Sequence, residues 1–190
     1  MRRHSCTALA VSGCILIILG LAPGAGSPPP REKATREHFH AIVGRQVHGT
    51  DVTIVIEGYT TQEDAQLLAE ASKSTDRGAL QKALNKMNKG RFRYGGGSGN
   101  PLRIVQSVPT GKGRKITLVA DRDREWFETP GSLYRIADYP YTFAELDLDE
   151  KGKGSGILMP FSRVQFDDNG LLKIDNYSVE PVRLIFVTPQ

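Results

Sequence analysis

Three histidines, His38, His40 and His48, stand close together ahead of the first β-branched run. Neutral imidazoles two residues apart on a strand share a face, and such a pair can hold part of a zinc site. A third ligand is not identifiable, and a catalytic zinc would also need a companion acid. The histidines therefore read as exposed residues where a linker meets a strand, and no metal is assigned. Asp147-Leu148-Asp149-Glu150-Lys151-Gly152 opens like a calcium loop, with oxygen ligands at positions one and three and glycine at six. Position five is Lys151 and position twelve is Leu158, where a bidentate carboxylate belongs, so the run reads as a solvated acidic face ending in a turn.

Gly95-Gly96-Gly97-Ser98-Gly99 lacks the Gly-Lys-Ser/Thr and the following helix of a phosphate loop; Asn100-Pro101 and a strand come next, so it is a flexible connection. No Gly-x-Ser-x-Gly elbow occurs, which removes the usual serine hydrolase signature. No catalytic residue and no cofactor are assigned. Carboxylates such as Glu145, Asp147 or Glu125 keep a hydrolase as the alternative, because paired acids are spaced in the fold and not along the chain.

The irregular stretch from Asp121 to Arg135 carries the single tryptophan, Trp126, beside Phe127, with Arg122 and Arg124 among acids. Long connections between tight strands are where binding residues collect. Arg122, Trp126, Tyr139 and Tyr141 are the expected ligand-binding residues, lining a pocket or an interface. The competing reading is an aromatic plug at one end of a sheet, with the arginines in surface ion pairs.

The elements that must position these residues are mostly strands. From Asp138 the chain reads Tyr-Pro-Tyr-Thr-Phe, then alternates Ala144, Leu146 and Leu148 against Glu145, Asp147 and Asp149. Period two puts the apolar set on one face of a strand. Lys151–Gly156 is expected to turn, and Ile157-Leu158-Met159 to begin the return. Before this hairpin, Phe39–Val47 and Val52–Glu57 read as strands joined at Gly49-Thr50. Thr60 with Glu63, or Thr61 with Asp64, fits a capping box opening a helix with Ala65, Leu68 and Ala69 on one face. Asp76 is expected to cap a second helix, with Leu80, Ala83, Leu84 and Met87 at helical spacing and Gly90 ending it. Arg91–Tyr94, Leu102–Val108 and Ile116–Ala120 follow as strands. Val164 and Phe166 face Leu172 and Ile174 across Asn169-Gly170, and Val182, Leu184 and Phe186 close the chain. The expectation is α+β: a β-rich antiparallel meander, barrel or sandwich, with a two-helix hairpin inserted after the second strand.

At the N-terminus, Arg2 and Arg3 precede an apolar run from Ala8 to Ala22, and Gly24-Ala25-Gly26 supplies small residues. This is the pattern of a signal peptide over residues 1–26, cleaved near 24–26. The apolar run is short for a permanent anchor. Val11-Ser12-Gly13-Cys14 resembles a lipoprotein signal, but the most apolar part follows Cys14, where such a signal would be polar. Cys6 and Cys14 both lie in this leader, so the mature domain has no disulfide and no thiolate chemistry. Residues 27–37, with Pro28-Pro29-Pro30, form a Pro-rich linker, and 38–190 a single globular domain. Losing the two arginines lowers Lys+Arg from 25 to 23 against 21 acids. That balance, with signs interspersed, argues against a nucleic-acid partner.

Gly58-Tyr59-Thr60-Thr61-Gln62-Glu63-Asp64 before a helix, Ala120-Asp121-Arg122 at a strand end, Asp138-Tyr139-Pro140-Tyr141 with Gly152-Lys153-Gly154-Ser155-Gly156, and Asn176-Tyr177 before Glu180-Pro181-Val182-Arg183-Leu184 resemble a group of small secreted bacterial proteins of unknown function. The resemblance runs from about Phe39 to the C-terminus. It implies an exported domain and says nothing of substrate. Together these readings describe a secreted or periplasmic, non-catalytic binding or interaction module for an unknown ligand or protein, meeting the membrane only through its signal segment during export.

Overall fold

A computed structural model describes residues 36–44, 50–76, 78–122, 138–167, 171–177 and 180–190. Among these residues nine strands and two helices follow in the order β1 (Glu37–Val43), β2 (Thr50–Ile56), α1 (Gln62–Lys73), α2 (Ala79–Lys86), β3 (Gly90–Tyr94), β4 (Asn100–Thr110), β5 (Gly113–Asp121), β6 (Tyr141–Asp149), β7 (Gly154–Phe166), β8 (Leu172–Asn176) and β9 (Val182–Pro189). Every pairing is antiparallel. Strands β1 to β7 run as a meander, β9 pairs with both β7 and β1, and the ring closes as an eight-stranded barrel. Strand β8 pairs with the second half of β7 and stands outside the ring. Of the two architectures open to the sequence, the barrel is the one adopted, because β9 supplies the eighth wall between β7 and β1.

Period-two alternation explains the interior. Val52, Ile54 and Ile56 of β2, Ile116, Leu118 and Ala120 of β5, and Ala144, Leu146 and Leu148 of β6 point into one core with Phe39, Leu102, Leu158 and Leu184. An eight-stranded barrel is just wide enough for side chains to fill it. A second core lies outside the wall. Ile104, Val119, Tyr141, Phe143 and Met159 face outward and meet Leu68 of α1, Ala83 and Leu84 of α2, and Val164 and Leu172 of the β7–β8 hairpin. The helical pair thus covers one side of the barrel, which is why β6 is buried on both faces from Tyr141 to Leu146.

The helices begin and end by side-chain chemistry. Thr61 caps α1: its hydroxyl accepts from the Asp64 amide at 3.1 Å, and the Asp64 carboxylate accepts from the Thr61 amide at 2.8 Å. Of the two capping boxes compatible with the sequence, this is the one formed. Arg103 of β4 locks α2, donating to the terminal carbonyls of Asn85 at 2.8 Å and Met87 at 2.7 Å while its other nitrogens hold Asp121. A cation on the last carbonyls also suits the helix dipole.

Several expectations are corrected. Strand β1 starts at Glu37, inside the stretch read as linker, and residues 45–49 lie outside the described set. The α2 N-cap is Gly78; Asp76 instead accepts from the Gly78 amide at 2.8 Å, organising the turn ahead of the helix. Helix α2 stops at Lys86, and Gly90 is the first residue of β3. Gly154 and Gly156, read as turn, belong to β7. They let β7 press on β6: an added Cβ would stand 1.8 Å from the Asp147 carbonyl oxygen at Gly154 and 2.3 Å from that of Glu145 at Gly156. In β9 the alternation breaks at Phe186, whose φ of 53° lies in the left-handed region. The pairing register of β9 shifts against both neighbours there, Val187 takes the inward position, and Phe186 is left 69% exposed. The β7–β8 pairs Val164↔Ile174 and Phe166↔Leu172 are as read from the sequence, with Asn169-Gly170 outside the described residues.

Candidate ligand site at one end of the barrel

One end of the barrel gathers the start of β1, the end of β2, the β4–β5 and β6–β7 turns and the end of β9. Glu37 sits two residues before Phe39 and Arg114 two before Ile116, so both share the inward face of their strands. Arg114 donates from Nη2 to Glu37 Oε2 and from Nη1 to Glu37 Oε1 at 3.2 Å. Tyr59, in the segment leaving β2, accepts from Arg114 Nη1 at 3.1 Å and donates to Glu37 Oε1 at 2.6 Å. The guanidinium also lies 5.9 Å over the Phe39 ring centroid. Segment 57–61 is pinned because Thr60 exchanges bonds with the Val105 backbone, its amide donating at 2.8 Å and its hydroxyl accepting at 2.9 Å.

These contacts set the electrostatics. Burial alone would raise the Glu37 carboxyl, but the hydrogen bonds from Arg114 and Tyr59 and the Arg114 charge outweigh it and hold it below its ordinary range. Burial, followed by the hydrogen bond to Glu37, pushes the Tyr59 phenol well above its usual value. The network is ionic at neutral pH.

Beside it an open groove of about 630 Å³ runs between the two turns, lined by Thr110, Gly111 and Lys112 on one side, by Lys153, Gly154 and Ser155 on the other, and floored by Arg114 and Leu148. Its size is that of small-molecule sites. Asp147 and Asp149 also border it. Asp149 Oδ1 accepts from the Lys151 amide at 2.9 Å and the Lys153 amide at 2.8 Å, so this carboxylate closes the turn. Glu145 is not on a solvated face. It is 7% exposed, with Oε1 2.8 Å from Lys115, whose ammonium also stands 3.8 Å from Asp147. Glu125 lies outside the described residues.

Of the residues expected to bind ligand, Arg122, Tyr139 and Tyr141 lie at the opposite end. Arg122 donates to the Tyr139 carbonyl at 3.2 Å, and its guanidinium stands 5.8 Å over the Phe161 ring. Tyr139 packs edge-on to Tyr177 at 5.1 Å and lies under Arg163 at 5.4 Å, which pairs with Asp175 at 2.6 Å. Tyr141 is 3% exposed within the second core. Burial, and then the Asp121 carboxylate, drive its phenol well above the ordinary value. Trp126 lies outside the described residues. The structure thus brings Arg122 and Tyr139 together and places Tyr141 in the core. His38 and His40 share the outer face of β1, His40 Nε2 standing 3.0 Å from Asp51, and His48 is outside the described set. Among the described residues no three His, Cys, Asp or Glu side chains gather as a metal site.

Glu37, Tyr59 and Arg114 escaped the sequence reading. Their only signal was a charged residue at an inward position, two places ahead of the first core residue, on each of two strands. The fold and site define a closed antiparallel barrel, carrying a helical pair on its wall and a polar network with a groove at one end. No family model, no curated protein and no solved structure matches the chain.

Proposed function

We propose that this chain is an exported, non-catalytic binding domain whose ligand enters at the groove between the β4–β5 and β6–β7 turns. The observation that carries the reading is the position of the groove: an open concavity on the rim of a barrel whose interior is packed with side chains. Of the acids near it, Glu37 is held by Arg114, Asp149 by turn amides and Glu145 by Lys115, and the exposed Asp147 stands 3.8 Å from Lys115. A carboxylate held in an ion pair is a poor general acid, which favours binding over hydrolysis. The Arg2–Gly26 leader supports export to a secreted or periplasmic location. The near balance of charge favours a small molecule or a protein over nucleic acid.

Two measurements test this. Mass spectrometry of protein recovered from the extracytoplasmic fraction is expected to give a mature N-terminus near residues 24–26; an intact leader counts against export. Amide NMR with a fragment library is expected to perturb Gly111 and Lys153–Ser155. Perturbations confined to Tyr139 and Tyr177 would move the site to the other end of the barrel, and none at either end would remove the reading.

A further inference from the structure

The charge at the groove points to one class of ligand, and this step rests on the groove being the binding site. Three cations and two carboxylates border it. Asp149 is spent on the Lys151 and Lys153 amides, and Asp147 lies on the outward face of β6 beside Lys115. The Arg114 charge is met by Glu37, yet its bonds use Nη1 and Nη2 alone. Its Nε–H has no partner among the described residues. Lys112 and Lys153 differ from Arg114 and Lys115, which pair with Glu37 and Glu145: neither ammonium has a carboxylate within ion-pair distance among the described residues. They stand on different turns, one on each side of the groove, with the hydroxyls of Thr110 and Ser155 as further donors. Leu148, 4% exposed at the rim of the barrel core, is the apolar side chain among the lining residues.

We infer that the groove takes an organic anion, a carboxylate or phosphate ester joined to a small apolar body, with Lys112 and Lys153 closing on the anionic group from opposite sides. Two unpaired ammonium groups facing one space attract an anion and repel a cation, and hydroxyls beside them complete its hydrogen bonding. The apolar body lies against the barrel rim beside Leu148. A neutral ligand of the same shape gains that contact but not the charge, and a cationic one meets repulsion.

The test is an amide NMR titration of the full chain with four probes sharing one ring: benzoate, phenyl phosphate, benzyl alcohol and benzylamine. Benzoate and phenyl phosphate are expected to perturb Gly111 and Lys153–Ser155 and to bind at least tenfold more tightly than the other two, with the advantage shrinking as salt is added. Lys112→Ala with Lys153→Ala is expected to weaken the anions at least tenfold, and the charge-keeping pair Lys112→Arg with Lys153→Arg to retain them. Benzyl alcohol or benzylamine perturbing the groove as strongly as benzoate, or an alanine pair that binds the anions unchanged, overturns the anion assignment while leaving the groove as a site. Silence from all four probes at the groove overturns both.

Discussion

Arg114 on β5 reaches across the end of the barrel to Glu37 on β1, four strands away round the ring, and Tyr59 bonds to both. A bond across the diameter ties opposite walls that share no backbone ladder. Arg114→Met is therefore expected to destabilise the fold by about 1–3 kcal/mol, because Glu37 is left half-buried without its charged donor. Glu37→Gln combined with Arg114→Met is expected to cost less than the sum of the singles. Denaturant unfolding of the two singles and the double closes the cycle; strict additivity would mean that the pair contributes nothing.

Two partly buried carboxyls contribute to acid stability. Glu37 and Asp64 both ionise below their ordinary range: burial opposes this in each, and Arg114 with Tyr59, or Lys89 with the Thr61 cap, overcomes it. The unfolded chain takes up these protons first, near pH 4. Their contribution is thus full above about pH 5 and is lost as the pH falls through the lower folded values. Glu37→Gln and Asp64→Asn should each flatten the acid limb of a plot of stability against pH.

The alkaline limb has the opposite sign. Tyr59 and Tyr141 hold their protons more tightly folded than unfolded, chiefly through burial. Above about pH 10 the unfolded chain releases protons that the folded one keeps, so stability declines with rising pH. Tyr59→Phe and Tyr141→Phe should each reduce that slope, read from denaturation at pH 9 to 11.

Close approach of β6 and β7 depends on missing side chains. Gly154→Ala and Gly156→Ala put a Cβ against carbonyl oxygens of β6 and are expected to cost about 1–3 kcal/mol or more. Gly111→Ala is the control, since nothing lies within 4 Å of its added Cβ. Thermal melts showing equal Tm for all three would contradict the contact geometry.

Phe186 pays for the bulge that sends Val187 inward. A bulky residue at φ 53° is strained, and glycine relieves that strain. Phe186→Gly is expected to raise stability by roughly 0.5–2 kcal/mol, since the exposed ring contributes little burial. A loss of stability would mean that the ring holds contacts worth more than the strain.

Much of the fold was legible because it is local. Alternation at Ala144, Leu146 and Leu148, the Thr61–Asp64 cap, the helical spacing of Ala83 and Leu84 and the β7–β8 register each need only neighbouring residues. The misreadings came where a neighbouring strand overruled the local signal. Gly154 and Gly156 look like a turn, yet they are strand glycines chosen by the distance to β6. Phe186 keeps the alternation of an inward residue, yet the register shift against β1 and β7 gives that place to Val187.

The sequence by itself determined the strands, the helical pair, their order and the antiparallel α+β class, because periodicity and caps act within a few residues. Whether the sheet closed was decided only in three dimensions, when β9 bonded to β7 on one side and β1 on the other. Closure also made the Glu37–Arg114 pair, which joins residues 77 apart in the chain. Spacing along the chain carries no information about which inward charges meet across a barrel, since that depends on how many strands complete the ring.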